Sequence, residues 1–342
     1  MQINAVKSVK SGILILSRGG MIMKVGFFSS STPITNISPT RFQRAERFME
    51  SKGITLVAGN LTGQQDFYRS GSIKRRAEEI NQLIHDDSIN ILMATIDGLN
   101  TNAILSEIDF DYLKTHPKTI VGYSDATALL LAIEVKAPAC RVLYGPALVA
   151  SFGEFSPIVD QTWSDFFEII SNKNTSVTIQ APKMWTDEAI NWNNFERDKK
   201  MQINSWGYVN SSVLTGRVLG GNLDTIAGII GSEYFPKFTK NDLLFIEDAE
   251  KDAAIAEKNF AMLNNLGVYR QVKGIILGKH AMFDDLQTGR QPIDILREVL
   301  GNNPVPIIYD YDSCHTVPMI TTPLGAQASF NAQEMNVTFS NY

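Results

Sequence analysis

The stretch Thr119-Ile120-Val121-Gly122-Tyr123-Ser124-Asp125-Ala126-Thr127-Ala128-Leu129-Leu130-Leu131-Ala132-Ile133-Glu134-Val135 decides the fold. Thr119–Tyr123 reads as a buried strand, and Asp125–Val135 as an apolar helix that follows at once. Upstream the same alternation repeats. Ile22–Phe28 reads as a strand running into Ser29-Ser30-Ser31-Thr32-Pro33. Ser38 stands at an N-cap position with Pro39 at the first helical position. Phe42, Ala45, Phe48 and Met49 recur at helical spacing up to Gly53. Thr55–Ala58 is a second strand, and Ser72 caps a helix with Ala77, Ile80, Leu83 and Ile84 on its apolar face. Ile89–Ala94 is a third strand. Strands that are apolar throughout, alternating with helices, predict a parallel sheet covered on both faces, an α/β fold. Such sheets bind ligands beyond the carboxyl ends of their strands, where Thr95-Ile96-Asp97-Gly98 and Ser124 both fall.

Downstream of Ser151 the pattern weakens until about Ser205. All four tryptophans, Trp163, Trp185, Trp192 and Trp206, lie in or beside this stretch. A second α/β unit follows, more mixed in character. Leu214–Leu219 is a strand, and Gly220-Gly221-Asn222 reads as a turn into a helix reaching Ile230. Leu243–Ile246 is a strand, Ala253–Leu266 a helix, and Val272–Leu277 and Pro306–Tyr309 are strands. Gln327–Phe330 and Asn336–Phe339 look like closing strands. The expected organisation is a leader over 1–21, an N-terminal domain over 22–150, a connecting segment over 151–205 and a C-terminal domain over 206–342. A length of 342 residues fits two domains.

Composition narrows the function classes. A hydrophobic content of 44% with 20% charged residues describes a globular chain. A net charge of -5 argues against a nucleic-acid partner, which calls for a basic surface. No apolar run approaches the roughly 20 residues that cross a bilayer, so no membrane partner is expected. Two cysteines, Cys140 and Cys314, make no disulfide framework, which points to a reducing, cytoplasmic compartment. The first twenty residues resemble a secretion signal only faintly, and Met21 or Met23 is a plausible natural start.

Three segments carry the chemistry. Ser124 sits on a sharp strand-to-helix turn, where backbone N–H groups can face an oxyanion. Serine is also a common helix cap, and the second glycine of the G-x-S-x-G elbow is missing, so the motif alone leaves both readings open. Glu247 and Asp248 end an apolar strand and suit a metal, the orientation of a base or a solvated loop; no histidine lies at ligand spacing nearby, which disfavours the metal. His315 follows Tyr309-Asp310-Tyr311-Asp312. Of the other histidines, His85 reads as a surface residue, His116 lies in a loop, and His280 at a strand end is a second candidate. Serine, carboxylate and histidine are the parts of a nucleophilic hydrolase. Gly274-Ile275-Ile276-Leu277-Gly278-Lys279 is one residue short of a phosphate-binding P-loop and lacks its Ser/Thr.

Taken in order, Thr95–Asn102, Gly122–Leu129, Tyr144-Gly145-Pro146-Ala147, Gly220-Gly221-Asn222-Leu223, Phe245-Ile246-Glu247-Asp248 and His315-Thr316 resemble the LD-carboxypeptidase family of serine peptidases. Ser151-Phe152-Gly153-Glu154, Trp185-Thr186-Asp187-Glu188 with Asn191-Trp192, and Leu277-Gly278-Lys279-His280 are most similar to the branch that contains the microcin C immunity protein. The resemblance implies a flavodoxin-like N-terminal domain, a C-terminal domain with a barrel-like part, and a cleft between them. It implies a homodimer and an amidase without metal or cofactor. Its catalytic residues would be Ser124, Glu247 and His315, with backbone N–H groups of Gly98 and Asp125 at the oxyanion. Trp185 would stack on a nucleobase, and Asn222 would contact substrate. The implied substrate is a small molecule, a peptidyl- or aminoacyl-nucleotide whose amide is cleaved in self-immunity and antibiotic resistance. A murein tetrapeptide is the alternative. One departure stands out. The branch tends to carry Gly-Gly where this chain has Asp97-Gly98, which raises a third possibility, a binding protein of the same fold with impaired catalysis.

Overall fold

A computed structural model describes residues 23–96, 98–172 and 175–342. The expected leader and Asp97 lie outside the described residues. Five strands, β1 (Lys24–Phe28), β2 (Thr55–Ala58), β3 (Ile91–Ala94), β4 (Thr119–Gly122) and β5 (Arg141–Tyr144), form a parallel sheet in the order β2-β1-β3-β4-β5. That is the flavodoxin-like order. β3 and β4 are buried along their whole length, as their unbroken apolar character requires. Helices Pro39–Ser51, Ile73–His85 and Thr127–Lys136 cover the faces. Ser72 caps the second through Arg75 N, as its sequence position predicts. Ser38 also stands at its N-cap position but makes no cap bond; its hydroxyl donates to Asn193 Oδ1 at 2.8 Å.

The remainder of the chain builds a mixed sheet. Its strands are β6 (Val177–Gln180), β9 (Gly207–Val209), β10 (Val213–Asn222), β11 (Asp242–Glu247), β12 (Gly274–Gly278), β13 (Ile307–Tyr311), β15 (Gln327–Asn331) and β16 (Asn336–Ser340). β10 through β13 run parallel, and the hairpin β15-β16 is antiparallel to β10. Among the described residues β6 and β9 stand at the two ends of this sheet. Two short strands, β7 (Met184–Trp185) and β8 (Gln202–Ile203), pair with each other inside the connecting segment. The chain also crosses back: β14 (Thr322–Leu324) pairs antiparallel with β5 and completes the first sheet as its sixth strand.

Gly220 and Gly221 do not form the turn that their sequence suggests. They continue β10 at φ +142° and +150°, and the helix that follows is short, Leu223–Ala227. Packing explains both glycines. A Cβ on Gly220 would stand 1.7 Å from the carbonyl oxygen of Phe245, and one on Gly221 would stand 2.7 Å from Thr127, with Tyr144 next. Bare backbone at Gly220 therefore lets β10 pair closely with β11, and at Gly221 it lets β10 lie against the helix and strand of the first sheet, where Asn222 N donates to Thr127 Oγ1 at 3.0 Å. Gly220→Ala should cost about 3 kcal/mol or more, since both backbone angle and contact are violated. Gly53→Ala, at φ +80° in open space, should cost about 1 kcal/mol. Equal losses for the two variants in denaturant unfolding would contradict this account.

Candidate active site

The carboxyl ends of both sheets meet at one cleft of about 470 Å³, bordered by Gly98, Tyr123, Ser124, Asn222, Asp248 and His315 among others. A larger cavity, about 610 Å³, opens at the other end of the first sheet beside Lys118, Glu134 and Arg141. The cleft is the better candidate, because ligands of parallel sheets sit beyond the carboxyl ends and because it alone brings a serine and a histidine together.

Ser124 adopts φ +55°, a left-handed conformation that a β-carbon disfavours. The turn arises because β4 ends at Gly122 and a three-residue 3-10 turn, Ser124–Ala126, precedes the helix Thr127–Lys136. Neither the turn nor the helix has a side-chain cap bond, so Ser124 is not a helix cap. Its N–H instead donates to Tyr144 Oη at 3.1 Å.

Glu247 closes β11 and is fully buried. Its Oε2 lies 2.7 Å from His315 Nδ1. Its Oε1 accepts from Tyr144 Oη at 2.5 Å and from Asn222 Nδ2 at 3.0 Å. The Asn222 contact follows from register, since β10 and β11 pair these two residues directly. Burial works against the charge of Glu247, but His315, Tyr144 and Asn222 outweigh it and hold the carboxyl below its ordinary range. A carboxylate only accepts, so Nδ1 of His315 carries the proton and Nε2 is the basic nitrogen. The imidazole also meets the Tyr123 ring edge-on, centroids 4.9 Å apart.

The loop bearing His315 has little regular structure of its own, and Asp312 anchors it. That carboxylate takes Lys279 Nζ at 2.6 Å, Trp206 Nε1 at 2.7 Å and Asn204 Nδ2 at 2.8 Å. The P-loop-like Gly278-Lys279 is thus spent on a buried ion pair. A backbone bridge between Thr186 and Val317 fastens the connecting segment to the same loop. His280, the second histidine candidate, packs against Phe260 and Phe283, and burial lowers its pKa to about 4. It does not border the cleft.

Gly98 must lack a side chain, because a Cβ there would come within 2.2 Å of Ser31 Oγ. Ser31 Oγ accepts Leu99 N at 3.1 Å, and Asp125 Oδ2 accepts Asn100 N, Thr101 N and Thr101 Oγ1 at 3.0, 2.9 and 2.7 Å. Asp125 therefore grips the 98–101 loop with its side chain, a role that the sequence reading, which used only its backbone, did not contain. Burial raises its pKa against these bonds.

Two substrate contacts expected from the sequence are placed differently. Asn222 borders the cleft, but its amide group bonds Glu247, Asp248 and Thr225, so its polar atoms orient protein groups. Trp185 is not among the cleft residues; its ring lies beneath the Lys279 ammonium at 5.2 Å. Trp192 does border the cleft, 37% exposed, with the Arg41 guanidinium 4.2 Å from its ring centroid. Tyr144, which joins Ser124 to Glu247, was visible in sequence only as part of the Tyr-Gly-Pro-Ala segment of the family resemblance, without a role.

A left-handed serine and a carboxylate-held histidine border one cleft, on a flavodoxin-like sheet packed against a mixed one, which fits a serine-peptidase type of hydrolase scaffold. The chain belongs to the LD-carboxypeptidase family, in the branch of the microcin self-immunity protein. Residues 25–145 match the LD-carboxypeptidase N-terminal domain and residues 215–330 its C-terminal domain. The chain is 44% identical over 319 residues to the microcin C7 self-immunity protein MccF of Escherichia coli, covering 92% of each. It is 46% identical over 308 residues to a carboxypeptidase homologue of Vibrio cholerae, covering 90% of this chain and 92% of the other. The solved apo structure of MccF superposes with a TM-score of 0.91, covering 94% of this chain and 97% of that one at 43% identity. MccF has also been solved with aspartyl sulfamoyl adenosine and with glutamyl sulfamoyl guanosine.

Asp248 supplies a test of the site's electrostatics. Burial, and then the negative charge of Glu247, push its carboxyl from 3.8 up to about 7. The folded chain then holds a proton that the unfolded chain has lost, so this group's contribution to stability falls as pH climbs from about 4 to about 7. Thermal unfolding across that range should show the wild type losing more stability than Asp248→Asn. Parallel curves for the two proteins would refute the shift.

Proposed function

We propose that this protein is a serine amidase that cleaves the amide joining an aminoacyl or peptidyl group to a modified nucleotide, and so detoxifies a microcin C-type compound. The observation that carries this reading is the grip of buried Glu247 on His315 Nδ1 at 2.7 Å, beside a cleft that Ser124 also borders. His315 Nε2 takes the proton of Ser124 Oγ, and Glu247 stabilises the imidazolium that forms. Ser124 attacks the amide carbonyl, and the oxyanion rests on the backbone N–H groups of Gly98 and Asp125. The amine departs with the proton from His315. Water, activated by the same nitrogen, then releases the acyl group.

The nucleotide end is assigned to the wall that carries Trp192, where Arg41 and Lys199 also stand. A half-exposed indole offers a flat face to a base, worth roughly 1–3 kcal/mol. MccF supports this reading through its nucleoside ligands and through a tryptophan-to-phenylalanine variant solved with adenosine monophosphate.

Incubation with an aminoacyl sulfamoyl-adenosine and, separately, with murein tetrapeptide, followed by mass spectrometry, tests the proposal. Products are expected from the first substrate; products from the tetrapeptide alone would replace this reading with the cell-wall one. Ser124→Ala should abolish turnover and keep binding measurable, and a fluorophosphonate should label wild-type Ser124. An unlabelled serine together with retained binding would identify a binding protein instead. Trp192→Ala should weaken nucleotide binding about tenfold or more, whereas Trp185→Ala should leave it within about threefold. The reverse order would return the base to Trp185. Tyr144→Phe, which cuts the link between Ser124 N and Glu247, should lower kcat by about tenfold to a hundredfold with little change in KM.

A further inference from the structure

The run Ser29-Ser30-Ser31 follows β1 and takes no part in the mechanism above, yet all three serines are buried. Each hydroxyl is turned toward the segment 95–101. Ser29 Oγ lies 2.9 Å from Thr95 Oγ1, and Ser30 Oγ lies 2.9 Å from Thr101 Oγ1. Ser31 Oγ accepts Leu99 N at 3.1 Å, with Asn100 N 3.4 Å away. Gly98 rests on this hydroxyl, and a Cβ there would also stand 2.5 Å from Thr32 Oγ1. The other side of the loop is held by the Asp125 carboxylate, through Asn100 and Thr101. Asn100 is the N-cap of the 3-10 helix Thr101–Glu107, but it makes no side-chain cap bond; its Oδ1 accepts from Arg76 Nη1 at 2.6 Å. The carboxylate of Asp125 thus caps that helix from another loop. Arg76 also donates to Ser30 O and Asn100 O, and its charge offsets that of Asp125. The N–H groups of Leu99, Asn100 and Thr101 are all engaged. Among the described residues, the N–H groups of Gly98 and Asp125 are given to no protein acceptor.

We propose that Ser31 and the Asp125 side chain are positioning residues for the oxyanion: they hold the 98–101 loop against the turn of Ser124, so that Gly98 N–H and Asp125 N–H converge on one point. This inference rests on the amidase reading above, which assigns those two donors. Asp125 has two tasks in this arrangement. Its backbone offers one donor, and its side chain fixes the loop that offers the other. The separation of the two donors is therefore set within a few bonds. Residues 99 and 100 belong to no helix or strand, so no ladder of hydrogen bonds sets the position of this loop. Ser31 and Asp125 replace that ladder from either side. Close control matters here, because a donor stabilises the developing charge only when it stands roughly 2.7–3.1 Å from where the oxygen will be. A loop displaced by a fraction of an ångström would still admit substrate and would stabilise the transition state less.

The test compares the full wild-type chain with Ser31→Ala and Asp125→Asn, using aspartyl sulfamoyl adenosine as substrate and phenylboronic acid as probe. The boronate adds to a serine hydroxyl as a tetrahedral anion, so its affinity reads the oxyanion donors directly. Ser31→Ala should lower kcat about tenfold and Asp125→Asn about a hundredfold, with KM within about threefold of wild type. Boronate affinity should fall in the same order as kcat. A purely structural role would lower the melting temperature without this split between kcat and KM and without a parallel loss of the boronate. Ser31→Ala keeps every bond of the Asp125 carboxylate to the 98–101 loop, so the test stands if Asp125→Asn fails to fold. Unchanged kcat in the folded variants, or a boronate affinity that holds while kcat falls, overturns the positioning role and leaves the amidase reading standing. A wild type that binds the boronate but cleaves only another substrate corrects the substrate and leaves the positioning role to be decided by the boronate series. A wild type that neither cleaves the adenosine compound nor binds the boronate overturns the amidase reading and this inference with it.

Discussion

A carboxylate removed from water must be surrounded by donors, and Glu247 is the point from which the rest of the site is organised. It is fully buried, and the stabilisation of its charge comes from His315, Tyr144 and Asn222. Each donor arrives from a different part of the chain: the segment between β13 and β14, the end of β5, and the end of β10. Tyr144 belongs to the first sheet and Glu247 to the second, so the charge is satisfied only when both sheets are assembled. Loss of any one donor leaves a buried negative charge short of a partner, a larger penalty than the worth of one ordinary hydrogen bond.

The same contact reaches the turn of Ser124. Tyr144 Oη donates to Glu247 and accepts from Ser124 N–H, so a single hydroxyl spans from β11 to the end of β4. Ser124 sits at φ +55°, and a left-handed residue with a β-carbon persists only where its surroundings over-determine it. Three constraints do so here. Tyr144 holds the Ser124 N–H, the Asp125 carboxylate is clamped to the 98–101 loop, and Thr127 is pinned by Asn222 N. Gly221 makes this geometry possible, because a side chain on it would run into Thr127 and Tyr144 of the first sheet, and Gly220 lets β10 and β11 pair closely beside it.

The parallel sheet was legible from periodicity, since β1 to β4 are short apolar runs alternating with helices whose apolar faces recur at helical spacing, whereas β5, four residues before Gly145, was not read as a strand. The three segments bearing Ser124, Glu247 and His315 were legible as strand ends. What escaped the sequence was non-local. Gly-Gly-Asn is ordinary turn chemistry, and only the carbonyl of Phe245 and the side chain of Thr127 explain why it is extended here. β14 looks like part of the second unit, yet its three residues pair with β5. Trp185 and Trp192 are seven positions apart in a stretch without periodicity, so nothing local says which ring faces the cleft. Tyr144 carried no polar neighbour in sequence to suggest that its hydroxyl would bridge two sheets. The Asp125 side chain was invisible for the same reason: its partners, Asn100 and Thr101, are brought to it by the fold.

The connecting segment is more than a spacer between the sheets. β6 enters the second sheet beside β16, and Thr186 pairs through its backbone with Val317, two residues beyond His315. A few residues on, Asp187, Glu188, Trp192 and Lys199 border the cleft. One end of this segment thus touches the loop that carries the imidazole while its length borders the same cleft as Asp224 and Lys251. The Asp312 cluster fixes that loop from the other side, with Asn204 and Trp206 supplied by the same segment. A displacement of the wall therefore cannot leave the imidazole loop untouched, because the Thr186–Val317 bridge and the Asp312 bonds transmit it over a few ångströms of hydrogen-bonded backbone. Residues that border the cleft and residues that hold His315 are in this way parts of one mechanical unit, and substitutions in the connecting segment act on both.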